Sequence, residues 1–189
     1  MNKDATGPVE FSDLRAALPP ESDLYNTAPT FHFECRYADG LTLVCDDEAA
    51  KPLKEAEEAF HQQPGKADKD FQHDGIIFEG EDGKWLYVQR GILLSHPAEL
   101  TAGKFTPPKG KNYEDTEHTR NFIDCIYSGQ PTNAPIEAAH RTNSIAHLAN
   151  IALRLGREKL RWNPETERVL DDDKANAMLT RESRKPWAI

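Results

Sequence analysis

The sequence predicts an α+β fold, and three stretches carry the prediction. Residues 30–45 and 75–94 show the two-residue alternation of β-hairpins, and residues 137–155 show the three-to-four spacing of a buried helix. At 189 residues the chain has room for one domain, at most two small ones.

The elements follow in order. Residues 1–29 are rich in Pro, Asp and Ser and keep no period, so they read as an extended leading segment. At most a short helix is expected at Ser12 to Leu18, capped by Ser12 and ended by Pro19-Pro20. From Thr30, Phe31, Phe33, Cys35 and Tyr37 alternate with His32, Glu34 and Arg36. Asp39-Gly40 supplies the turn, and Leu41, Leu43 and Cys45 continue the apolar face. His32 and Glu34, on the other face, read as solvent-side residues.

Residues 46–74 are charged and read as an exposed insertion with a weak helix from Leu53 to Phe60, closed by Pro64-Gly65. His61 and His73 lie there near Asp68, Asp70 and Asp74, without the spacing of a metal-binding motif, so no metal is expected. In the second hairpin, Ile76, Ile77 and Phe78 precede an Asp82-Gly83 turn, and Trp85 to Val88 return. Apolar residues on both faces predict a strand covered on both sides. Residues 92–94 begin a further strand, and 96–112 form a Pro- and Gly-rich loop.

A helix is expected from Asp115 to Tyr127, capped by Asp115 or Thr116, with Phe122, Ile123 and Ile126 as its buried stripe. The long helix buries Ile145, Leu148, Ile151, Ala152 and Leu155 and ends at Gly156, where glycine tolerates a left-handed cap. Asn143, His147, Asn150 and Arg154 form a polar stripe that, by spacing alone, reads as a solvated or capping face. A short strand at Lys159 to Trp162, a turn at 163–166, pairing at Val169-Leu170 and a small helix within 171–180 follow, the last with Ala175, Met178 and Leu179 inward.

Composition narrows the function. A formal charge of −9 with no basic cluster argues against nucleic acid and against an anionic membrane surface. No run approaches the ~20 apolar residues of a spanning helix, and the first residues lack a signal peptide's apolar core. A cytoplasmic, reducing compartment is therefore the expectation. Three cysteines without C-x-x-C spacing do not make a disulfide framework, although one bridge between Cys35 and Cys45 across the hairpin stays open.

Several stretches resemble the C-terminal, substrate-side domain of the Gfo/Idh/MocA oxidoreductases, in their bacterial branch. GPVEF at Gly7 resembles the G-P-V-E start of that domain, and DGIIFEGEDGKWLYVQRG from Asp74 resembles its second hairpin. The run from His118 to Glu167 resembles H-x-R-N-F-L-D-C … A-P-V-E-x-G-H-R-S … H-L-x-N-I-A-x-R-L-G-R-x-L-x-W-D-P, and DDDKANAMLTRESRKPW resembles the ending. The resemblance implies an open antiparallel or mixed sheet with helices on one face, the other face contacting a second subunit. It implies oxidation or reduction of a sugar-related alcohol with NAD(P) held by a preceding Rossmann domain. On this reading residues 1–189 are a single C-terminal-type domain with an insertion at 46–74, and the Rossmann domain is absent. A homodimer through the sheet follows, because Phe31, Phe33, Tyr37, Trp85 and Tyr87 supply more aromatic area than one helix layer covers.

The departures bear on chemistry. These residues contain no G-x-G-x-x-G dinucleotide fingerprint, so no cofactor is expected to bind this chain alone, and NAD(P) is implied only for a full family protein. The family's catalytic E-K-P segment is missing. Lys51-Pro52 follows Ala50 and does not replace it, so no catalytic residue is assigned. Positions matching the family are His118, Asn121, Asp124, His140, Arg141, His147 and Asn150, which become weak substrate-binding candidates for sugar hydroxyls. Because the resembling run continues through His147 and Asn150, these two are expected to be buried and paired. Two readings stay open: one part of an oxidoreductase that needs a nucleotide-binding partner, such as a separate Rossmann-domain chain, or a free-standing binding or oligomerisation module that has lost the chemistry. A hydrolase would need paired carboxylates, and the sequence shows no marked pair.

Overall fold

The structure is a computed structural model that describes residues 3–47, 51–71, 73–89, 92–102 and 115–186. Eight strands and four helices follow one another along the described chain. They are β1 Glu10–Ala16, β2 Phe31–Arg36, β3 Thr42–Asp46, α1 Lys51–His61, β4 Ile76–Glu79, β5 Trp85–Gln89, β6 Ile92–His96, α2 Asp115–Ser128, α3 Ile136–Arg154, β7 Lys159–Asn163, β8 Arg168–Val169 and α4 Asp173–Ala177. They form two compact units, residues 1–47 with 115–189, and residues 48–114. The fold class is α+β, as expected, with open sheets whose described strand pairs are all antiparallel.

The first unit is built on a five-stranded sheet of order β3-β2-β1-β7-β8. Its central strand lies in the segment that the sequence leaves as an extended lead or short helix. Phe11, Leu14 and the intervening polar residues do not keep a strict period of two, because β1 carries a bulge. The register steps from Ser12↔Glu34 to Arg15↔His32, two intervening residues against one, and Asp13 takes φ 47°. Phe11 sits between its cross-strand neighbours Cys35 and Leu160, and all three are buried. That burial, invisible locally, is what makes the segment a strand.

The first hairpin forms as expected. Tyr37 N–H bonds Leu41 O at 2.8 Å across the turn, and Gly40 takes φ 90°. Helix α3 lays Leu148, Ala149, Ile151 and Ala152 on Phe11, Phe33, Cys35, Leu160 and Trp162. Its end is a Schellman motif: Gly156 at φ 60° donates to Leu153 O, and Arg157 N–H reaches back to Ala152 O at 2.9 Å. Helix α4 is capped by Asp172, which accepts from Ala175 N–H at 3.0 Å. Ala175 is buried and Leu179 packs against the core, but Met178 is exposed rather than inward. The three cysteines are free thiols, so the open bridge between Cys35 and Cys45 does not form.

Helix α2 has the expected span and the opposite environment. Phe122, Ile123 and Ile126 are exposed, Phe122 by 59% and Ile126 by 64%. An amphipathic pattern says that a helix has an apolar side and does not say what covers it. The capping of this helix by Asp115 or Thr116 falls on side chains outside the described set, as does most of the loop expected at 96–112.

The second unit pairs α1 with the antiparallel sheet β4-β5-β6. What reads as an exposed insertion therefore has a core: Ala56, Phe60 and Phe71 pack with Trp85, Tyr87 and Leu94. Leu53, Ala56 and Phe60 repeat at three and four within a charged helix, which is a narrow apolar stripe rather than an absent one. Strand β4, expected to be covered on both sides, is an edge with Ile76 and Phe78 exposed. On β5, Trp85 and Tyr87 point into the core and Val88 points out.

Candidate functional site

The seven candidate residues all lie in the first unit, on α2 and α3. Those on α2 make short-range contacts. Asn121 accepts from Asn133 N–H at 2.9 Å and donates to Cys125 Sγ at 3.6 Å, so it shapes the turn between the two helices. Cys125 Sγ donates in turn to Pro131 O at 3.4 Å. Asp124 accepts from Arg120 one helical turn earlier, at 3.3 Å, and His118 is exposed. Their pattern is that of a helix surface and the loop that leaves it.

On α3, His140 and Arg141 meet a residue that the sequence reading did not single out. Glu167, at φ 51° ahead of β8, lies 2.7 Å from His140 Nε2 and 3.0 Å from an Arg141 amino group. Arg141 also donates to Pro164 O at 2.8 Å and pairs with Glu137 at 2.7 Å. The hydrogen bond from His140, aided by the Arg141 and Arg168 charges, holds the Glu167 carboxyl below its ordinary value. The result is a ring of planar polar groups where the start of α3 meets the β7–β8 turn. Glu167 gave no signal beyond a charged residue next to a turn, since its partners are 26 and 27 positions away.

His147 and Asn150 are exposed, against the expectation that they are buried, although Asn150 does have a partner. Asn150 accepts from Arg154 Nε at 3.2 Å, and Arg154 reaches Asn26 O at 3.0 Å, so the stripe ties the leading segment to the solvent side of α3.

On the open face of the sheet, His32 and Glu34 differ from the solvent-side reading in being half-buried, with Asp46 and Asp13 beside His32. Among the described residues no helix is long and apolar enough to cross a membrane.

The first unit is thus an antiparallel sheet with a long helix on one face, closed by a short strand pair and a capped C-terminal helix, an α/β arrangement. Residues 106–189 match the family model of the oxidoreductase family's C-terminal alpha/beta domain, of the Gfo/Idh/MocA type. No curated protein and no solved structure matches the chain.

Proposed function

We propose that this chain supplies the substrate-side part of an NAD(P)-dependent oxidoreductase acting on a sugar-related alcohol, with the nucleotide held by a Rossmann-type unit. The observation that carries the reading is the family match over residues 106–189, which covers α2, α3 and everything after them. The nicotinamide, when bound to its own unit, would supply the hydride chemistry. This chain's part is to bind and orient hydroxyl groups.

The polar ring at the start of α3 suits that task. His140, Glu167 and Arg141 present donors and acceptors in fixed planes, and His140 and Glu167 remain half-exposed. Subunit contact is part of the proposal. Of the aromatic residues first expected to drive it, Phe33, Tyr37, Trp85 and Tyr87 are buried in their own units, and Phe31 alone is exposed. The open face of the five-stranded sheet instead carries Glu10, Arg36, Lys159 and Arg161, both signs of charge side by side. A two-fold contact between copies can match such a face to itself.

Calorimetry with NAD and NADP, and light scattering at micromolar concentration, test the two halves. Expected are no nucleotide binding by this chain alone, and a dimeric mass. Low-micromolar nucleotide binding would overturn the division of labour. Hydride transfer to a sugar panel should appear only when a Rossmann-type chain is added, and its absence with every such partner would favour a binding module without chemistry.

A further inference from the structure

We propose that the open face of the five-stranded sheet is a binding site for a divalent transition-metal ion, with Asp13, His32 and Glu34 as ligands and Asp46 supporting the imidazole. Zinc is the ion that the donor set favours. This inference is independent of the oxidoreductase reading, and either can fail alone.

The backbone brings the three ligands together. His32 and Glu34 are two apart on β2 and so share a face. Asp13 reaches the same face because the β1 bulge inserts one extra residue between Ser12 and Arg15. One ligand atom from each residue lies within 4.8 Å of the others. Around a single zinc the ligand atoms would stand roughly 3.3 Å apart, given metal–ligand bonds of about 2.0 to 2.2 Å. The exposed Asp13 side chain can rotate to close that difference.

The independent sign of a ligand is the imidazole itself. His32 Nδ1 lies 2.6 Å from Asp46 Oδ2. At neutral pH a carboxylate only accepts, so Nδ1 carries the hydrogen and donates it. In the neutral imidazole Nε2 then keeps its lone pair. That atom has under 1 Å² of accessible surface and no hydrogen-bond partner, although Asp13 Oδ2 is 3.0 Å away. Two acceptors 3.0 Å apart repel unless a proton or a metal cation lies between them. A second ring proton would make the same contact an ion pair with Asp13, 3.0 Å away, and that is the alternative the metal titration decides. A metal ion accepts the Nε2 lone pair and the Asp13 and Glu34 oxygens together.

The arrangement of carboxylate, imidazole and metal is the usual way a protein orients a histidine ligand and raises its basicity. An imidazole among the donors selects against Mg²⁺ and Ca²⁺, which take oxygen ligands. Three protein ligands leave a fourth position for water or for a group from another molecule.

The test uses the full chain, stripped with a chelator and titrated with ZnCl₂ by calorimetry at pH 7.5. One saturable site per chain is expected, with no comparable response to MgCl₂. His32→Gln should abolish the site, Asp13→Asn and Glu34→Gln should each weaken it, and Asp46→Asn should weaken it by roughly 10- to 100-fold. The double variant His61→Gln/His73→Gln should leave it unchanged, although those histidines flank Glu57 in the other unit. Should His32→Gln fail to fold, Glu34→Gln with a native circular dichroism spectrum decides. No stoichiometric binding overturns the proposal, as does loss of the site in the His61/His73 variant or an unchanged site in Glu34→Gln. Nitrogen-15 spectra with excess zinc give a direct readout: a metal-shifted His32 Nε2 supports the site, and two protonated ring nitrogens refute it.

Discussion

Phe11 and Phe122 exchange the roles that local pattern assigns them, and a paired substitution makes the exchange measurable. Phe11 is fully buried near the start of β1, flanked by Cys35 and Leu160 and 6.4 Å from the Phe33 ring centroid. Phe11→Ala removes a whole buried ring, opens a cavity that strands on both sides hold open, and loses an aromatic neighbour. Deletions of this kind cost about 3 to 5 kcal/mol. Phe122 is 59% exposed on α2, and alanine is the better helix former there, so Phe122→Ala should stay within about 0.5 kcal/mol. Urea unfolding followed at 222 nm, where α2 and α3 dominate the signal of the first unit, separates the cases. With an m-value near 2 kcal/mol/M, Phe11→Ala should lower the midpoint by roughly 2 M. A loss for Phe122→Ala equal to that for Phe11→Ala, or a Phe11→Ala variant within about 1 kcal/mol of the parent, would refute the assignment of β1 to the core.

Further outcomes follow from the same packing. Ala152→Leu, at a fully buried position facing Phe11 and Leu160, should cost about 1 to 3 kcal/mol by overpacking, while His147→Ala/Asn150→Ala on the exposed side should leave the urea midpoint within about 0.5 kcal/mol equivalent. Gly75→Ala would place a Cβ inside the ring of the buried Tyr87, so the second unit should lose near-ultraviolet dichroism and about 1 to 3 kcal/mol in thermal or urea unfolding. The Arg157 guanidinium, with the Ala175 N–H, holds the Asp172 carboxyl below its ordinary 3.8; stability from this pair is present above that value and is lost as pH falls through the lowered one. Asp172→Asn should therefore destabilise at pH 7 and converge with the parent in strong acid, as urea midpoints across pH will show. Burial pushes the Cys35 thiol up to about 12, so iodoacetamide at pH 8 should spare Cys35 and label the partly exposed Cys125 first, as peptide mass mapping would report.

The sequence by itself determined the elements whose cause is local. The Phe31-to-Cys45 hairpin is legible because alternation and Asp39-Gly40 specify both strands and their turn. The span of α3 and its Gly156 end are legible because the apolar spacing and the left-handed cap are properties of one segment. The family resemblance was legible too, in the long run from His118. What the tertiary structure decided is which apolar face is covered and by what. Phe11 becomes the centre of a sheet through partners at positions 35 and 160, distant in the chain. The stripe of α2 stays exposed although its pattern matches that of a buried helix. The charged segment from Lys51 turns out to roof its own small sheet. The polar sites follow the same rule. Glu167 joins His140 and Arg141 across a turn, and a one-residue bulge carries Asp13 to His32. Hydrophobic period reports a residue's neighbours along one element, whereas a site is made by residues that only the packing of several elements brings within 3 Å.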